Sequence, residues 1–468
     1  MLTDLLSSRK KFSDYWDVLI PYVLFILGCF FVFGGATAAL LAVTVICCVA
    51  MPKRRFVFLT IASIITVVGE FGIFHFLLRT VKLENGDWLL RGFYIAVAYL
   101  LVLVTAWLSQ KYWRRYVILT LLGVQAIGLF ALSLEVLGPI AHAVLQIYLI
   151  LFAVSFFAMI FNQELKRMSA LELGSSVLPI WAVATKFPIP FRLVKVHSQE
   201  TVLGTNEQTR LYWRGVKLLY VNAAAVALFN GLLLFLKSEP LTFEKLNFNF
   251  VYYSAYEGFD AIRASFGGAF GQWAGFLFVG IGALLRVSVG LNFAVAIAVF
   301  CGFNLPANTS SLAYRYKTYG EFLRGFYFYY SYLLTRIFFP RVKKAFAFMT
   351  RGLSSRASSF VNVFLVIVIT GFIFNFSRYA YPHYYNRGFE RTMELMLGSL
   401  LYFIPAGALV AYSHLKLKEW EKFGPLGLLF TKIWIPLTYS ILITIKTSQL
   451  VPEWDVSKII QMLKELIR

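Results

Sequence analysis

The stretch Cys301–Pro340 reads CGFNLPANTSSLAYRYKTYGEFLRGFYFYYSYLLTRIFFP. It lies between two strongly apolar runs, yet it contains arginines, a glutamate, two prolines and a ladder of tyrosines. Backbone at membrane depth that does not simply span the bilayer must be buried in protein or line a wet cavity. Charged side chains in such a place are functional-site candidates. We therefore expect the other helices of the chain to surround this segment.

The composition is that of an integral membrane protein. Of the 468 residues, 59% are hydrophobic and only 14% are charged, which is more apolar surface than a soluble protein of this size can bury. The formal net charge is +21, and the Lys and Arg clusters flank apolar runs. Such clusters are typical of topology determinants and of contacts with anionic lipids. The lipid bilayer is therefore the expected partner, and nucleic acid is not.

The apolar runs predict an all-α, polytopic fold in one membrane domain, with about ten or eleven transmembrane helices plus re-entrant segments. We divide it into N-terminal transmembrane helices (1–168), a core with re-entrant segments and a tunnel (169–392), and C-terminal transmembrane helices with an amphipathic tail (393–468). Basic clusters fall at the N-terminus, at 53–55, at 111–115 and at 166–167, which is every second loop. The positive-inside rule therefore predicts a multi-pass protein of the inner (cytoplasmic) membrane with a cytoplasmic N-terminus.

Several segments interrupt this regular pattern. The pair Gly34-Gly35 predicts a tight turn between two short helices. The stretch 169–217, rich in prolines and then basic, predicts a re-entrant or interfacial segment, and 237–263 predicts an aromatic-rich outer loop. The long, Gly-rich run 265–300 predicts one crossing with a kink or a partial re-entry. After the central stretch, the run 360–412 is predicted to cross outward and return, with a polar segment in its middle.

Two short motifs in the central stretch carry a family resemblance. Gly302–Asn308 (GFNLPAN) matches the pattern Gly-Phe-x-Leu-Pro-x-Asn, and Phe322–Tyr327 (FLRGFY) lies at the right distance to match Phe-Trp-Arg-Arg-Trp-His. On these residues the chain resembles the membrane-bound O-acyltransferase (MBOAT) superfamily, most closely its bacterial branch that acylates polysaccharides and teichoic acids. The resemblance implies the helical basket and the tunnel of that family.

Other stretches extend the resemblance over residues 185–390 or so. Arg286–Asn292 (RVSVGLN) lies where the family has Asp-Phe-Ser-Gly-Tyr-Ser-Asp, and only Ser288 is kept. Thr370–Asn375 (TGFIFN) resembles the Gly-Leu-Trp-His-Gly segment that carries the family's catalytic histidine, and Phe374 takes the place of that histidine. Tyr327 replaces the other family histidine. Smaller matches lie at Phe187–Ile189 and at Arg214–Lys217.

The resemblance implies a specific reaction. Family enzymes take an acyl thioester from the cytoplasmic side, on an acyl carrier or on acyl-CoA, and a hydroxyl of an envelope glycan or lipid attacks it. A hydroxyl is a poor nucleophile near neutral pH and needs a base within hydrogen-bond reach. Phe374 cannot take a proton, and Tyr327, with an ordinary pKa of about 10, is a poor base. No cofactor is implied beyond the acyl thioester donor.

The sequence leaves three interpretations open. In the first, the chain is an MBOAT-fold pseudoenzyme that acts as a scaffold, a transport subunit or a lipid-handling partner protein in envelope assembly. In the second, it still transfers acyl groups with a displaced base, for which His383 and Tyr327 are the catalytic candidates. In the third, the family assignment is wrong and the chain is a transporter or a channel. The sequence shows no internal repeat of the kind that inverted-repeat transporters have.

The other site candidates are polar or aromatic residues near the motifs. An arginine between apolar segments must be paired or face water, so Arg324 and Arg286 are candidates to hold a phosphate-bearing donor. The alternatives are ion pairs with Glu321, and with Asp260 or Glu257. For the asparagine and the tyrosines of the set, the alternatives are helix capping and aromatic-belt packing. The predicted substrate and tunnel set is Arg324, Asn308, Ser288, Arg286, Asn292, Phe374 and Tyr330.

The remaining histidines and cysteines have simpler explanations. His75 and His142 lie within apolar runs, where a polar side chain needs a partner, so we predict hydrogen-bonded packing histidines. The four cysteines lack the CxxC and Cys/His spacing of metal sites, so we predict no metal centre. They are Cys29, Cys47, Cys48 and Cys301.

Overall fold

A computed structural model of the chain shows an α-helical protein, and the sheet that it describes is one pair of two-residue strands. The helical architecture confirms the predicted all-α class. The structure describes residues 12–71, 88–113, 115–134, 137–162, 170–177, 180, 195–196, 206–247, 251–310, 312–420, 424–448, 461 and 464, with the backbone alone at 378–395 and at shorter stretches within other helices.

The described helices of the first half lie between Phe12 and Val177. Gly34 separates the first two, and its φ of 80° lies in the left-handed region that glycine adopts without steric cost. The predicted turn at Gly34-Gly35 is therefore confirmed. These helices are α1 (Phe12–Phe33), α2 (Gly35–Ala50), α3 (Arg55–Val68), α4 (Trp88–Lys111), α5 (Val117–Ser133), α6 (Pro139–Asn162) and α7 (Ala170–Val177).

The second half contains the central stretch and the helices around it. Strand β1 (Lys195–Val196) pairs antiparallel with β2 (Phe303–Asn304). The helices are α8 (Asn206–Leu236), α9 (Val251–Phe266), α10 (Gly268–Phe300), α11 (Leu312–Arg315), α12 (Tyr319–Phe326), α13 (Phe328–Tyr332), α14 (Phe339–Ala345), α15 (Ser355–Trp420) and α16 (Gly424–Ser448). Between α13 and α14 the segment Leu333–Phe338 is π-helical, next to Pro340, which has no N–H to continue regular α-helical bonding.

The described helices identify the chain as a helical membrane protein. Five of them are long and apolar enough to cross a bilayer, or six if α2 and α3, which meet at a bend of 118°, count as one broken span. Helix α15 contributes Ser355–Ser377 to this set. Four further apolar helical stretches are shorter, namely Leu19–Phe33, Val117–Ser133, Gly398–Ser413 and Thr431–Ile445. Length and composition thus support fewer spans than the ten or eleven that we predicted.

Helix α10 lies at the centre of the bundle. Every residue from Ser288 to Phe300 is buried, and the helix packs against α8, α9 and α16. The predicted kink or partial re-entry in 265–300 stays a prediction. The chain breaks once, at Gly267, and α10 then runs for 33 residues without interruption. Its polar residues do not end the helix because Ser288 and Asn292 find hydrogen-bond partners on neighbouring segments.

Helix α9 corrects a second expectation. The predicted outer loop 237–263 is helical from Val251 onward. The reason is packing, since a Cβ on Gly258 would collide with the ring of Phe278 on α10. Gly258 therefore allows two helices to approach closely. Most of the predicted re-entrant stretch 169–217, and most of the tail 447–468, lie outside the described residues.

Helix α15 has 66 residues, and it folds back on itself. A Cβ on Gly371 would collide with the ring of Phe403, and a Cβ on Gly407 would lie 3.3 Å from Cδ2 of Phe364. A straight helix would hold residues 371 and 403 about 48 Å apart, at 1.5 Å per residue. The helix therefore reverses between these contacts, which agrees with the predicted outward crossing and return.

Candidate functional site

The loop that follows α10 begins at a position that favours glycine. Gly302 has a φ of 91°, and a Cβ there would lie 2.7 Å from Nη1 of Arg55. This Nη1 donates to the carbonyl oxygen of Gly302 at 3.0 Å, while Nε donates to that of Pro52 at 3.1 Å. The guanidinium also lies 5.7 Å from the ring centroid of Phe303. Sequence reasoning placed Arg55 in a basic topology cluster and missed this buried role.

A second arginine holds the next residues of the loop. Arg214 on α8 donates from Nη2 to Oδ1 of Asn304 at 3.1 Å and to the carbonyl oxygen of Leu305 at 2.6 Å. Asn304 is also the strand partner of Lys195 in β1. The first half of the GFNLPAN motif is thus fixed between two helices and a strand.

Asn308, the last residue of that motif, is completely buried. Its Nδ2 donates to the carbonyl oxygen of Phe326 at 2.6 Å, and its Oδ1 accepts from the N–H of Tyr329 at 3.4 Å. Tyr329 is the second residue of α13, so the Asn308 side chain caps the start of that helix. The Tyr329 hydroxyl in turn donates to the carbonyl oxygen of Pro306 at 2.6 Å. The capping alternative therefore describes this residue, although the capped helix lies later in the chain.

Two other predicted residues join the same hydrogen-bond network. The backbone N–H of Asn308 donates to Oδ1 of Asn292 at 2.9 Å. Nδ2 of Asn292 donates to Oγ1 of Thr309 at 3.1 Å and to Oδ1 of Asn222 at 3.2 Å. The hydroxyls of Ser288 and Thr309 are also hydrogen-bonded. The structure thus brings Ser288, Asn292 and Asn308 together, and it uses them to tie the loop to α10 and α8.

Phe374, which the sequence resemblance aligns with a histidine, is packed among aromatic rings. Phe374 on α15 is 9% exposed. Its ring centroid lies 5.1 Å from that of Phe157 on α6 and 5.7 Å from that of Tyr330 on α13, the second pair edge-on. Phe374 and Tyr330, both members of the predicted tunnel set, therefore touch each other. The contact is apolar and offers no group that accepts a proton.

Tyr327 lies in a different aromatic group. Its hydroxyl is 2.5 Å from that of Tyr439 on α16, and its ring lies next to the Tyr439 ring. Burial raises the pKa of Tyr327 well above the ordinary tyrosine value, and Tyr402 on α15 acts in the same direction. Burial likewise raises the pKa of Tyr330. Sequence reasoning missed Tyr402 and Tyr439, although each is a tyrosine within an otherwise apolar run, which is the available signal.

The predicted arginines lie outside this buried region. Arg324 is exposed on α12, and Arg286 is half-buried on α10. The ion pairs described for the chain do not join Arg324 to Glu321. The Glu321 carboxylate instead accepts from the N–H of Lys317 at 2.7 Å, and its own N–H donates to Oγ1 of Thr318 at 3.2 Å. Thr318 therefore caps the start of α12, and the Glu321 carboxylate reaches back to the residue before the cap.

Of the five histidines, the structure describes the side-chain contacts of His142. His142 on α6 contacts Gln146 one turn later, with 2.7 Å between the two Nε2 atoms, so the prediction of a hydrogen-bonded packing histidine is confirmed. His383 belongs to α15, and its side chain lies outside the described part of the structure, as does that of His414. His75 and His197 lie outside the described residues altogether. The predicted catalytic role of His383 stays a prediction.

Comparison with known proteins does not assign the chain to a family. No protein-family model matches the chain, and no curated protein matches it. Within the described residues there is also no group of three or more His, Cys, Asp or Glu side chains placed to hold a metal ion. The MBOAT resemblance is therefore carried by the motif residues alone.

Proposed function

We propose that this chain is an MBOAT-like membrane protein that handles an acyl lipid or a glycan of the cell envelope without histidine-dependent acyl transfer. In this role it serves a partner protein as a scaffold or transport subunit. One observation carries the proposal. Phe374, at the place of the catalytic histidine, is buried between the rings of Phe157 and Tyr330.

The second substituted position supports the same conclusion. A base must have a lone pair available near the working pH. The hydroxyl of Tyr327 shares a hydrogen bond with Tyr439, and its raised pKa leaves a negligible amount of phenolate near neutral pH. Asn308 and Ser288 are likewise engaged in tying the loop to its neighbours. These contacts favour a protein that has kept an MBOAT-like fold but has lost the reaction centre.

We also propose the finer topology that the basic clusters indicate. If the four shorter apolar helices complete crossings, and α2 and α3 count as one span or as two, the total reaches the ten or eleven spans expected from the sequence. Positive clusters in every second loop then place the N-terminus in the cytoplasm and the chain in the inner membrane.

The test compares transfer with assembly. Purified full-length protein is incubated with a radiolabelled acyl thioester, as acyl-CoA or on an acyl carrier, and with envelope polymer or lipid as acceptor. We expect no labelled ester, whereas a tagged chain isolated from cells should retain a specific partner.

A deletion strain tests the alternative, in which the chain is an acyltransferase. It is complemented with the wild type, with His383→Ala or with Arg324→Ala, and the O-acyl esters of the envelope are measured. If the wild type transfers label in vitro and His383→Ala, made and inserted normally, restores no ester, then the chain is a transferase with a displaced base and our proposal is wrong.

A further inference from the structure

A run of exposed basic residues leads from α14 into α15, and we call residues 341–356 the basic segment. It contains most of α14, a short 3₁₀-helix at Ala347–Thr350 and the first residues of α15. The sequence has no Asp or Glu between Glu321 and Glu390, so the positive charge of the segment has no acidic neighbour along the chain. Its five basic side chains are all exposed, and they are Arg341, Lys343, Lys344, Arg351 and Arg356.

The basic segment lies at the end of a candidate membrane span. Ser355–Ser377 of α15 is long and apolar enough to cross a bilayer, so the residues just before it lie at the boundary between hydrocarbon and lipid headgroups. The inner side of the segment rests on the protein, because Val342 is buried and Phe346 is half-buried against the main apolar core. The packed inner side therefore holds the basic side chains at the membrane surface.

Large apolar side chains are exposed in the same segment. Phe348 is 66% exposed, Met349 is 46% exposed and Leu353 is 43% exposed. The ring centroid of Phe348 lies 6.2 Å from that of Phe346, whose packing against the core positions it. Apolar area left in water is unfavourable, whereas at this boundary it can enter hydrocarbon. Basic residues interspersed with Phe and Leu are typical of a surface that binds anionic lipid.

The protein itself engages part of the basic clusters elsewhere in the chain. In the cluster 53–55, Arg55 is buried and donates to backbone carbonyl oxygens. In the cluster 111–115, Nζ of Lys111 lies 4.8 Å from the ring centroid of Trp107 and 4.9 Å from that of Tyr112. These clusters therefore offer fewer uncommitted charges than the basic segment does.

The basic segment has few contacts of this kind. The hydrogen bond described for its basic side chains runs from Nη1 of Arg341 to the carbonyl oxygen of Ile337 at 2.7 Å. The ion pairs described for the chain involve Glu70 and Glu239, and neither carboxylate belongs to the segment or pairs with it. Four of the five cations are thus available to an anion that the described part of the chain does not supply.

We propose that the basic segment binds an anionic phospholipid, with its Lys and Arg side chains on the headgroup and with Phe348 and Met349 in the hydrocarbon beneath. Each basic residue near an anionic surface contributes about a fivefold preference for it. An acidic protein would match the charge but would leave the apolar side chains at the bilayer boundary without a role. The inference goes beyond the proposed function and does not depend on whether acyl transfer occurs.

The experiment compares two lipids that differ in headgroup charge. Purified full-length protein in a neutral detergent is titrated with phosphatidylglycerol, which is anionic, or with phosphatidylcholine of the same chains, which is zwitterionic. Native mass spectrometry gives the dissociation constant of the first lipid bound. We expect the wild type to bind phosphatidylglycerol at least tenfold more tightly, because several cations contribute.

A triple variant removes charge from the segment, and a matched triple variant removes the same charge elsewhere. Lys343→Gln, Lys344→Gln, Arg351→Gln should bind the two lipids within about threefold of each other, since most of the charge contribution is lost. The control Lys53→Gln, Arg54→Gln, Arg115→Gln changes three exposed basic residues of the other clusters and should keep the preference. Without lipid, both should unfold close to the wild-type temperature, because the substituted side chains are exposed.

A single variant tests the apolar part of the surface. Phe348→Ala should weaken the binding of both lipids about fivefold and leave their ratio unchanged, because the ring contributes apolar burial and not charge. Unchanged binding of both lipids by Phe348→Ala would contradict the proposed insertion into hydrocarbon.

Three further results would overturn the proposal. Equal binding of the two lipids by the wild type would leave an acidic protein surface as the occupant of the segment. Equal loss of preference in the two triple variants would show that net charge alone selects the lipid. Displacement of phosphatidylglycerol by inorganic phosphate would show a site for a free anion and not for a lipid.

Discussion

Arg55 donates from Nη1 to the carbonyl oxygen of Gly302 at 3.0 Å, and this bond joins positions 247 residues apart. It ties the start of α3 to the first residues of the loop that carries the GFNLPAN motif. Arg55 is 5% exposed, so its charge is stabilised mainly by carbonyl oxygens and by the face of Phe303. Two halves of the chain are therefore held together at the base of the central stretch.

Loss of this bond should destabilise the protein. Arg55→Ala removes the side-chain donor to the carbonyl oxygens of Gly302 and Pro52, and we expect it to lower the free energy of unfolding by about 2 kcal/mol, as for a charge-assisted hydrogen bond. Gly302→Ala should also destabilise, because its φ of 91° and the nearby guanidinium both oppose a Cβ. Denaturation of the detergent-solubilised protein measures both effects.

The neighbouring Arg54 provides the matched control. It is exposed, so Arg54→Ala should change the free energy of unfolding by no more than about 0.5 kcal/mol. The double variant Arg55→Ala, Gly302→Ala should lose less than the sum of the single variants, since the added methyl group no longer meets a guanidinium. Additive losses would mean that the two residues do not act through this contact.

Asn308 offers a second test, of the capping role. Asn308→Ala leaves the carbonyl oxygen of Phe326 and the N–H of Tyr329 without their side-chain partner, and we expect a loss of about 2 kcal/mol. Asn308→Asp keeps the shape but cannot donate to Phe326, so it should lose at least as much. Thermal unfolding in detergent measures both. A normal unfolding temperature combined with altered ligand binding would instead assign Asn308 to a substrate site.

The sequence predicted the helical class and the reversal within α15, because long apolar runs and their polar interruptions are local signals. It did not predict the contacts that fix α10. The polar residues Ser288 and Asn292 find their partners on other segments of the chain. Likewise, Gly258 allows α9 to approach α10, where the sequence predicted an outer loop. In both cases the outcome depends on contacts between distant segments, which local patterns do not contain.

The candidate site, like the fold, was predicted from the sequence only in part. The motif residues Ser288, Asn292 and Asn308 were singled out from the sequence, and the structure brings them together. Arg55, which anchors the loop of these residues, was not singled out from the sequence. It lies in a basic run, and the positive-inside rule explains that run equally well. Tyr439 was missed because its partner Tyr327 is 112 residues away.

A third prediction concerns the missing histidine. Phe374→His introduces the residue that the MBOAT resemblance predicts at this position, but we expect it to produce no acyl transfer from a labelled thioester. The rings of Phe157 and Tyr330 that lie against Phe374 carry no charge that would stabilise a protonated imidazole. We expect the free energy of unfolding to fall by about 2 kcal/mol, since a polar group enters an apolar contact.

Phe348→His serves as the control for that substitution, because Phe348 lies outside the candidate spans and is 66% exposed. It should unfold nearly as the wild type does. Transfer activity in Phe374→His, absent from the wild type and from this control, would show that the reaction centre is intact apart from one residue, contrary to the proposed function.

The fourth prediction follows from an ion-pair cluster after α8, outside the membrane-spanning helices. Lys237 Nζ lies 2.6 Å from one oxygen of Glu239, and Lys245 Nζ lies 2.8 Å from the other. Hydrogen bonds from Lys237 and then Lys245 lower the pKa of Glu239 from 4.5 to about 2. A lowered pKa in the folded state means that the stabilisation is present above about pH 4.5 and is lost as the pH falls towards 2.

The unfolding temperature of the wild type should therefore exceed that of Glu239→Gln by a small, constant amount above pH 5. The difference should shrink between pH 4.5 and pH 2, and added salt should reduce it at every pH, because the ion pairs are partly open to solvent. Glu244→Gln, which changes an exposed carboxylate in the same loop, is the control and should follow the wild type. A difference that grows as the pH falls would contradict the assignment, since it would require Glu239 to be stabilised in its protonated form.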